Sequence, residues 1–274
     1  MTDLLQRTYT GIVFVAIIIA GTILNPFLFA IVFGGILFLV LKEFYEMSEK
    51  SGAYSQKIPG LALGLLLFAL IFFNVSGYMP KRYILLILPA LFLIFIFELF
   101  RNKETPLANI GLTLTGIILI AVPFSLIHYL VFPQFLENKQ FYPWLLMGIF
   151  FILWSYDTGA YLIGIKWGKF KLFERISPNK SWAGVLGGTC VALIVGIINS
   201  ILFHVINIIG WEGIAVIIIA SGTFGDLVES MFKRSLGIKD SGNILPGHGG
   251  VLDRLDSLIF SVPFIFAWLL VLNP

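Results

Sequence analysis

The sequence predicts an all-α polytopic membrane protein with about nine transmembrane helices, the N-terminus cytoplasmic and the C-terminus outside. Three observations carry this. Of 274 residues, 58% are apolar or aromatic, above the ~45–50% that soluble domains reach even with glycine counted. Only 12% are charged, about half the usual ~25%, so the chain cannot supply a mostly polar skin. Its apolar runs come in lengths near the ~20 residues that cross a bilayer as a helix. A disulfide-built secreted module is excluded because Cys190 is the only cysteine.

The runs cover residues 9–24, 26–41, 58–73, 83–99, 108–130, 143–165, 182–203, 212–230 and 257–272. None alternates with period two, which argues for helices over an outer-membrane barrel. Residues 9–41 are too long for one crossing and carry a turn signal at Asn25-Pro26. They read as two spans, with a re-entrant hairpin of the same parity as the alternative. The stretch after Arg7 reads as a first transmembrane helix rather than a cleaved signal. About five spans fall in residues 1–142. About four fall in residues 143–274, where the loops carry the motifs.

Charge placement orients the chain. With nine spans, Arg7, Lys42, Lys50, Lys57, Arg101 and Lys103 share one side with Lys166, Lys169, Lys171, Arg175, Lys180, Lys233, Arg234, Lys239 and Arg254. The other side carries Lys81, Arg82 and Lys139. Basic loops are cytoplasmic loops. The net charge of +3 is too small to suggest a nucleic-acid partner.

The polar residues concentrate. Residues 226–256 hold nine of the 33 charges, on the cytoplasmic side between the last two spans. Asp226 and Glu229 close an apolar run three residues apart and therefore share a helical face. A carboxylate at membrane depth is costly and usually has a partner or a function. Asp253 and Asp256 repeat the spacing at the start of the last span, where an acid also suits the helix dipole. Pro246-Gly247-His248-Gly249-Gly250 joins these ends and can turn with positive φ to offer backbone N–H groups to a phosphate. Four carboxylates on two helix ends can hold a hard divalent cation. Lys233, Arg234, Lys239 and Arg254 can neutralise phosphates, and His248 is a secondary phosphate or proton-transfer group.

A second cluster, residues 166–184, has five basic residues against Glu174. Lys166 to Lys171 suit anionic headgroups. Ser177-Pro178 reads as an N-cap followed by proline at the first helical position. That reading puts Lys180 in the first turn, where backbone N–H groups also favour an anion. Asp157, in WSYDTGAYLIG, has no cation within a helical turn, so its partner must come from another helix. Glu98 and Arg101 can form a simple i, i+3 pair, while His128 and His204 read as interfacial.

Ser230 to Arg234, then Lys239-Asp240-Ser-Gly242, then Leu245-Pro246-Gly-His248-Gly249-Gly250-Val-Leu-Asp253-Arg254-Leu-Asp256 resembles the signature of phosphatidate cytidylyltransferases (CDP-diacylglycerol synthases). Asp157-Thr-Gly-Ala-Tyr161 and Ser177-Pro-Asn-Lys180-Ser-Trp-Ala-Gly184 are similar to further motifs of that family, so the resemblance covers the C-terminal half. Many members carry Glu where this chain has Ala183. The resemblance implies an integral membrane nucleotidyltransferase of phospholipid synthesis. It would join CTP and phosphatidic acid into CDP-diacylglycerol and pyrophosphate with Mg2+, and it leaves room for a second cation. A lipid phosphate oxygen would attack the α-phosphorus of CTP. That oxygen is already ionised at neutral pH, so no strong base is needed. The expected assignment makes Asp226, Lys239, Asp253 and Asp256 catalytic. Asp226, Glu229, Asp253 and Asp256 are the expected metal ligands. Ser177, Lys180, Lys233, Arg234, Lys239, His248, Gly249, Gly250, Arg254 and Asp157 are the expected substrate contacts. The setting is a bacterial inner membrane with the site on the cytoplasmic side, and a homodimer stays open. Two alternatives differ in product: a CTP-dependent polyprenol kinase would transfer the γ-phosphate, and an ion-coupled transporter would need no CTP.

Overall fold

A computed structural model describes residues 3–136 and 140–272; Lys139 lies outside the described residues. Among the described residues, nine helices are long and apolar enough to cross a membrane: Leu5–Ile23, Pro26–Ser51, Lys57–Val75, Lys81–Arg101, Pro106–Val131, Trp144–Trp167, Trp182–Leu202, Ile208–Ser235 and Leu252–Leu272. Residues 9–41 fall within two separate helices, Leu5–Ile23 and Pro26–Ser51, of 19 and 26 residues, each about 28 Å or longer at ~1.5 Å per residue. That is full crossing length and not the half-depth arms of a hairpin. Asn25 makes the break: its side chain accepts the Leu28 N–H at 2.9 Å, and Pro26 takes the first helical position.

The chain divides into two compact units, residues 1–141 with 240–254, and residues 142–239 with 255–274. The first holds helices α1 (Asp3–Ile23), α2 (Pro26–Ser48), α3 (Lys57–Val75), α4 (Ile87–Arg101), α5 (Pro106–Gly116) and α6 (Val122–Val131). Its core is aliphatic and aromatic, with Phe29, Leu37, Leu41, Ile120, Phe124 and Ile127 essentially without exposure. Tyr45 is equally buried, and its hydroxyl donates to the Thr113 carbonyl at 2.9 Å. A polar knot ties the loop before α3 to α4 and α5. The Glu98 carboxylate accepts from Gln56 (2.6 Å), Arg101 (2.9 Å) and Asn109 (2.7 Å). The i, i+3 pair of the sequence is thus one edge of a larger network. His128 is fully buried among Phe29, Phe68 and Phe72.

The second unit holds α7 (Trp144–Trp167), a hairpin of β1 (Lys171–Phe173) and β2 (Ser177–Ser181), α8 (Trp182–Leu202), α9 (Ile208–Ile217) and α10 (Thr223–Ser235). Most of α11 (Leu252–Leu272) belongs to it too. Helices α7 and α8 approach through glycines. A Cβ at Gly188 would lie 2.8 Å from the Tyr156 carbonyl oxygen, and one at Gly184 would lie 2.8 Å from that of Ala160. Small residues let helix backbones meet where lipid supplies no hydrophobic drive. Gly188→Ala is therefore expected to force the pair apart and destabilise the fold by about 1–3 kcal/mol. A thermal unfolding scan in detergent would read this as a lowered midpoint.

Ser177 does not cap α8. It lies in β2, paired with Phe173, and the cap is Ser181, whose hydroxyl accepts the Gly184 N–H at 3.2 Å. Lys180 accordingly precedes the helix instead of lying in its first turn. The hairpin decides this, since it draws Ser177 to Ser181 into extended backbone that helix-start signals alone do not reveal.

Candidate functional site

Span eight is interrupted. A π-helical turn at Ile218–Gly222 separates α9 from α10, and such turns often mark functional positions. Hydrogen bonds fasten it to α11: Ser221 to Ser261 at 2.9 Å, and the Ser257 hydroxyl to the Gly222 carbonyl at 3.3 Å. Gly225 keeps the contact close, because a Cβ there would lie 2.5 Å from that of Phe260. The two helices thereby bring three acids together. One carboxylate oxygen each from Asp226, Glu229 and Asp256 lies within 4.8 Å of the others.

Two lysines answer these acids. Lys180 Nζ lies 2.6 Å from Asp226 Oδ2 and 3.5 Å from the Thr223 carbonyl oxygen. Lys233 Nζ lies 2.7 Å from Glu229 Oε2, one turn apart on α10, and both side chains are buried. Ser230 donates to Asp226 Oδ1 at 3.1 Å, and Asp256 Oδ1 accepts the Ser257 N–H at 2.6 Å. The Tyr156 and Thr223 hydroxyls share a hydrogen bond beside the cluster. Asp157, one residue further along α7, is exposed. Its carboxylate lies within electrostatic reach of Lys180 in β2 and of Asp226, while the ion pair of that lysine is with Asp226.

The donor set suits a hard divalent cation. Opposite oxygens around Mg2+ lie about 4 Å apart at ~2.1 Å per bond, close to the spread of these three carboxylates. They take Asp and Glu oxygens only, with no sulfur or imidazole, which fits Mg2+ better than zinc.

The remaining sequence-selected residues lie in the first unit or on the surface. Asp253 is not one of the three acids that converge. Its carboxylate accepts the Ser241 N–H at 3.0 Å and the Gly250 N–H at 2.8 Å, closing the loop ahead of α11. Arg254 donates twice to the His248 carbonyl, at 3.0 and 2.7 Å. Leu245 to His248 form a tight turn. The His248 N–H reaches the Leu245 carbonyl at 2.9 Å, with proline second and Gly247 third at φ 77°, the signature of a type II turn. Gly249 also has positive φ, 82°, so the expected left-handed backbone is present. The N–H groups of His248 and Gly250, however, are already bonded inside the loop and do not stand open to a phosphate. Burial and the neighbouring Arg254 and Arg7 cations push the His248 pKa below its usual value. Arg234 donates to the Ile238 carbonyl at 3.3 Å, and Lys239 and Asp240 are exposed.

One buried acid escaped the sequence reading. Glu43 of α2 is 1% exposed, and its Oε2 accepts the Leu252 N–H, the first of α11, at 2.9 Å. The local signal is weak because Lys42-Glu43 reads as charge beyond the end of a span. Only the apolar Phe44, Tyr45 and Met47 after it hint that the helix stays buried.

A helical chain with nine membrane-length spans among its described residues, and a carboxylate–lysine cluster at the end of two of them, is an integral membrane protein with a metal-competent polar site. Residues 5–272 match the model of the Cytidylyltransferase family, and the chain belongs to that family. It is 32% identical over 276 residues to a phosphatidate cytidylyltransferase of Haemophilus influenzae, covering 94% of this chain and 96% of the relative. It is 35% identical over 281 residues to that of Bacillus subtilis, covering 97% of each. Against the Staphylococcus haemolyticus enzyme of the same name, identity reaches 52% over 119 residues, 42% of this chain and 45% of the relative.

Proposed function

We propose that this chain is a phosphatidate cytidylyltransferase. It joins CTP and phosphatidic acid into CDP-diacylglycerol and pyrophosphate, with Mg2+. The observation that carries the reading is the convergence of Asp226, Glu229 and Asp256 with Lys180 and Lys233 in a chain matched end to end by relatives of that name. The site faces the cytoplasm of a bacterial inner membrane, with the N-terminus inside and the C-terminus outside, because 15 of 18 basic residues fall on that side.

Asp226, Glu229 and Asp256 are the residues that hold the cation. When bound, Mg2+ supplies charge neutralisation and orientation for the phosphates. Lys180 and Lys233 are the ammonium groups that meet phosphate charge, exchanging their carboxylate partners for it. Both reactants are anions, so bringing them together is mainly an electrostatic and positional task. A phosphatidate oxygen bonds to the α-phosphorus as the bond to the β-phosphate oxygen breaks, and pyrophosphate leaves. Asp157, within electrostatic reach of Lys180, helps orient that lysine. Asp253, Arg254 and the glycines 247, 249 and 250 shape the loop that leads into α11.

The test uses purified protein, phosphatidic acid, Mg2+ and CTP labelled in parallel on cytidine or on the γ-phosphate. Cytidine in the lipid phase is expected. Lipid carrying the γ-label without cytidine would instead identify a kinase, and neither label in folded protein would remove the nucleotidyltransferase reading.

A further inference from the structure

Helix α1 carries a feature that the cluster does not use. Gln6, Tyr9, Thr10, Val13, Phe14 and Ile17 fall on one helical face by their i, i+3, i+4 spacing. That face, with Leu245 and Pro246 of the turn, lines a groove of about 610 Å³ within the first unit. The volume lies inside the ~300–1,000 Å³ range of small-molecule sites. The groove is graded. At its start Gln6 and Thr10 are polar, and the Thr10 hydroxyl is satisfied by the Gln6 carbonyl at 2.9 Å. Further along, Val13, Phe14 and Ile17 are wholly apolar, and Tyr9, Val13 and Ile17 are exposed.

The polar end is also the cationic end. The Arg7 stem lies against the turn, since a Cβ at Gly247 would be 2.7 Å from Arg7 Cγ. Arg254 is fixed by its two bonds to the His248 carbonyl. The imidazole of His248 borders Gly11, at 3.5 Å from where a Cβ would stand. Two guanidiniums thus flank the turn at the end where the groove is polar. Guanidinium is the cation best matched to a phosphate, and an apolar trough beyond it is the complement of an acyl chain.

We propose that this groove seats phosphatidic acid, one acyl chain along Val13, Phe14 and Ile17 and the phosphomonoester at Arg7 and Arg254 beside the turn. The assignment rests on the cytidylyltransferase reading for the identity of the lipid. Its physical content is a phosphomonoester lipid subsite on α1.

The test is photo-labelling of purified full-length protein in nanodiscs without CTP, using a phosphatidate with a diazirine in one acyl chain. Mass spectrometry locates the adduct. Label is expected within residues 9–17, displaced by excess dioleoyl phosphatidate and not by dioleoyl phosphatidylcholine. Val13→Trp, which fills the groove, is expected to cut that label at least fivefold. It should also raise KM for dioleoyl phosphatidate with little change in kcat for a short-chain, soluble phosphatidate. Ile12→Trp, off the lining and 64% exposed, controls for the added bulk and should label like wild type. Displacement by phosphatidylcholine as effective as by phosphatidate would overturn the proposal, as would undiminished labelling of Val13→Trp or protection of the groove by a second copy of the chain. Specific labelling in protein that transfers no cytidine would overturn the reaction while supporting the lipid subsite. Cytidine transfer with no label on α1 would overturn the subsite alone.

Discussion

Asp256→Asn is expected to lower Mg2+-dependent cytidine transfer by about 10²–10³-fold, the usual cost of removing one positioned electrostatic group, in protein that stays folded. Asparagine keeps the side-chain oxygen that accepts the Ser257 N–H, so the local backbone has no reason to move. Charge is what is lost. Asp226, Glu229 and Asp256 converge, and Lys180 and Lys233 pair with two of them. The two lysines offset two of the three carboxylate charges, and the substitution removes the third. A cluster stripped of that charge has less to offer a divalent cation, whose attraction must also offset its dehydration. Mn2+ binding followed by paramagnetic resonance reads the site without turnover. Wild type should bind tightly, Asp256→Asn and Asp226→Asn should not, and Asp253→Asn should keep most of its affinity. Wild-type Mn2+ affinity in Asp256→Asn, or equal loss in Asp253→Asn, would remove the three-carboxylate assignment.

That contrast marks how far the sequence could be read. Asp253 and Asp256 have the same type, spacing and neighbourhood as Asp226 and Glu229, and i, i+3 spacing places both of a pair on one face. It does not say what the face meets. In the structure Asp256 meets the acids of α10, while Asp253 accepts two backbone N–H groups of its own loop. The nine spans were legible because hydrophobic length is a local property. The cap of α8 was not, because Ser177-Pro178 and Ser181 both satisfy local rules and a strand pairing chooses between them. The ion pair of Lys180 with Asp226 does not depend on that choice, since it joins residues 46 positions apart whichever serine caps the helix.

Glu43→Ala is expected to lower activity by about 10²-fold, the size of effect that small misplacements of reacting groups produce. It acts through the loop of residues 240–252 and touches no substrate. The Glu43 carboxylate is the post around which that loop is wound. Its Oε2 accepts the Leu252 N–H. A Cβ at Gly242 would come within 2.5 Å of Oε1, and one at Gly250 within 2.7 Å of Oε2. Gly242 is thus explained by one side chain on α2 that no local pattern connects to it, and Gly250 by that side chain together with the nearer Ser241 hydroxyl. Leu252 and Asp256 are four apart on α11, so the N–H that Glu43 holds lies one turn before a carboxylate of the cluster. Alanine leaves that buried N–H without its acceptor and opens a void between the glycines, and an unsatisfied buried donor costs about 1–3 kcal/mol. Glu43→Gln keeps an acceptor of the same reach and should recover most of the activity, which separates a hydrogen-bonding post from a required charge. Hydrogen exchange supplies the readout that a general loss of stability would not mimic. Peptides covering residues 240–254 should exchange faster in Glu43→Ala, while those of α7 and α8 keep their wild-type protection. Unchanged exchange in that loop, or failure of glutamine to rescue, would exclude the anchoring role, because the loop's path would then be set by its own internal bonds from Asp253 and His248.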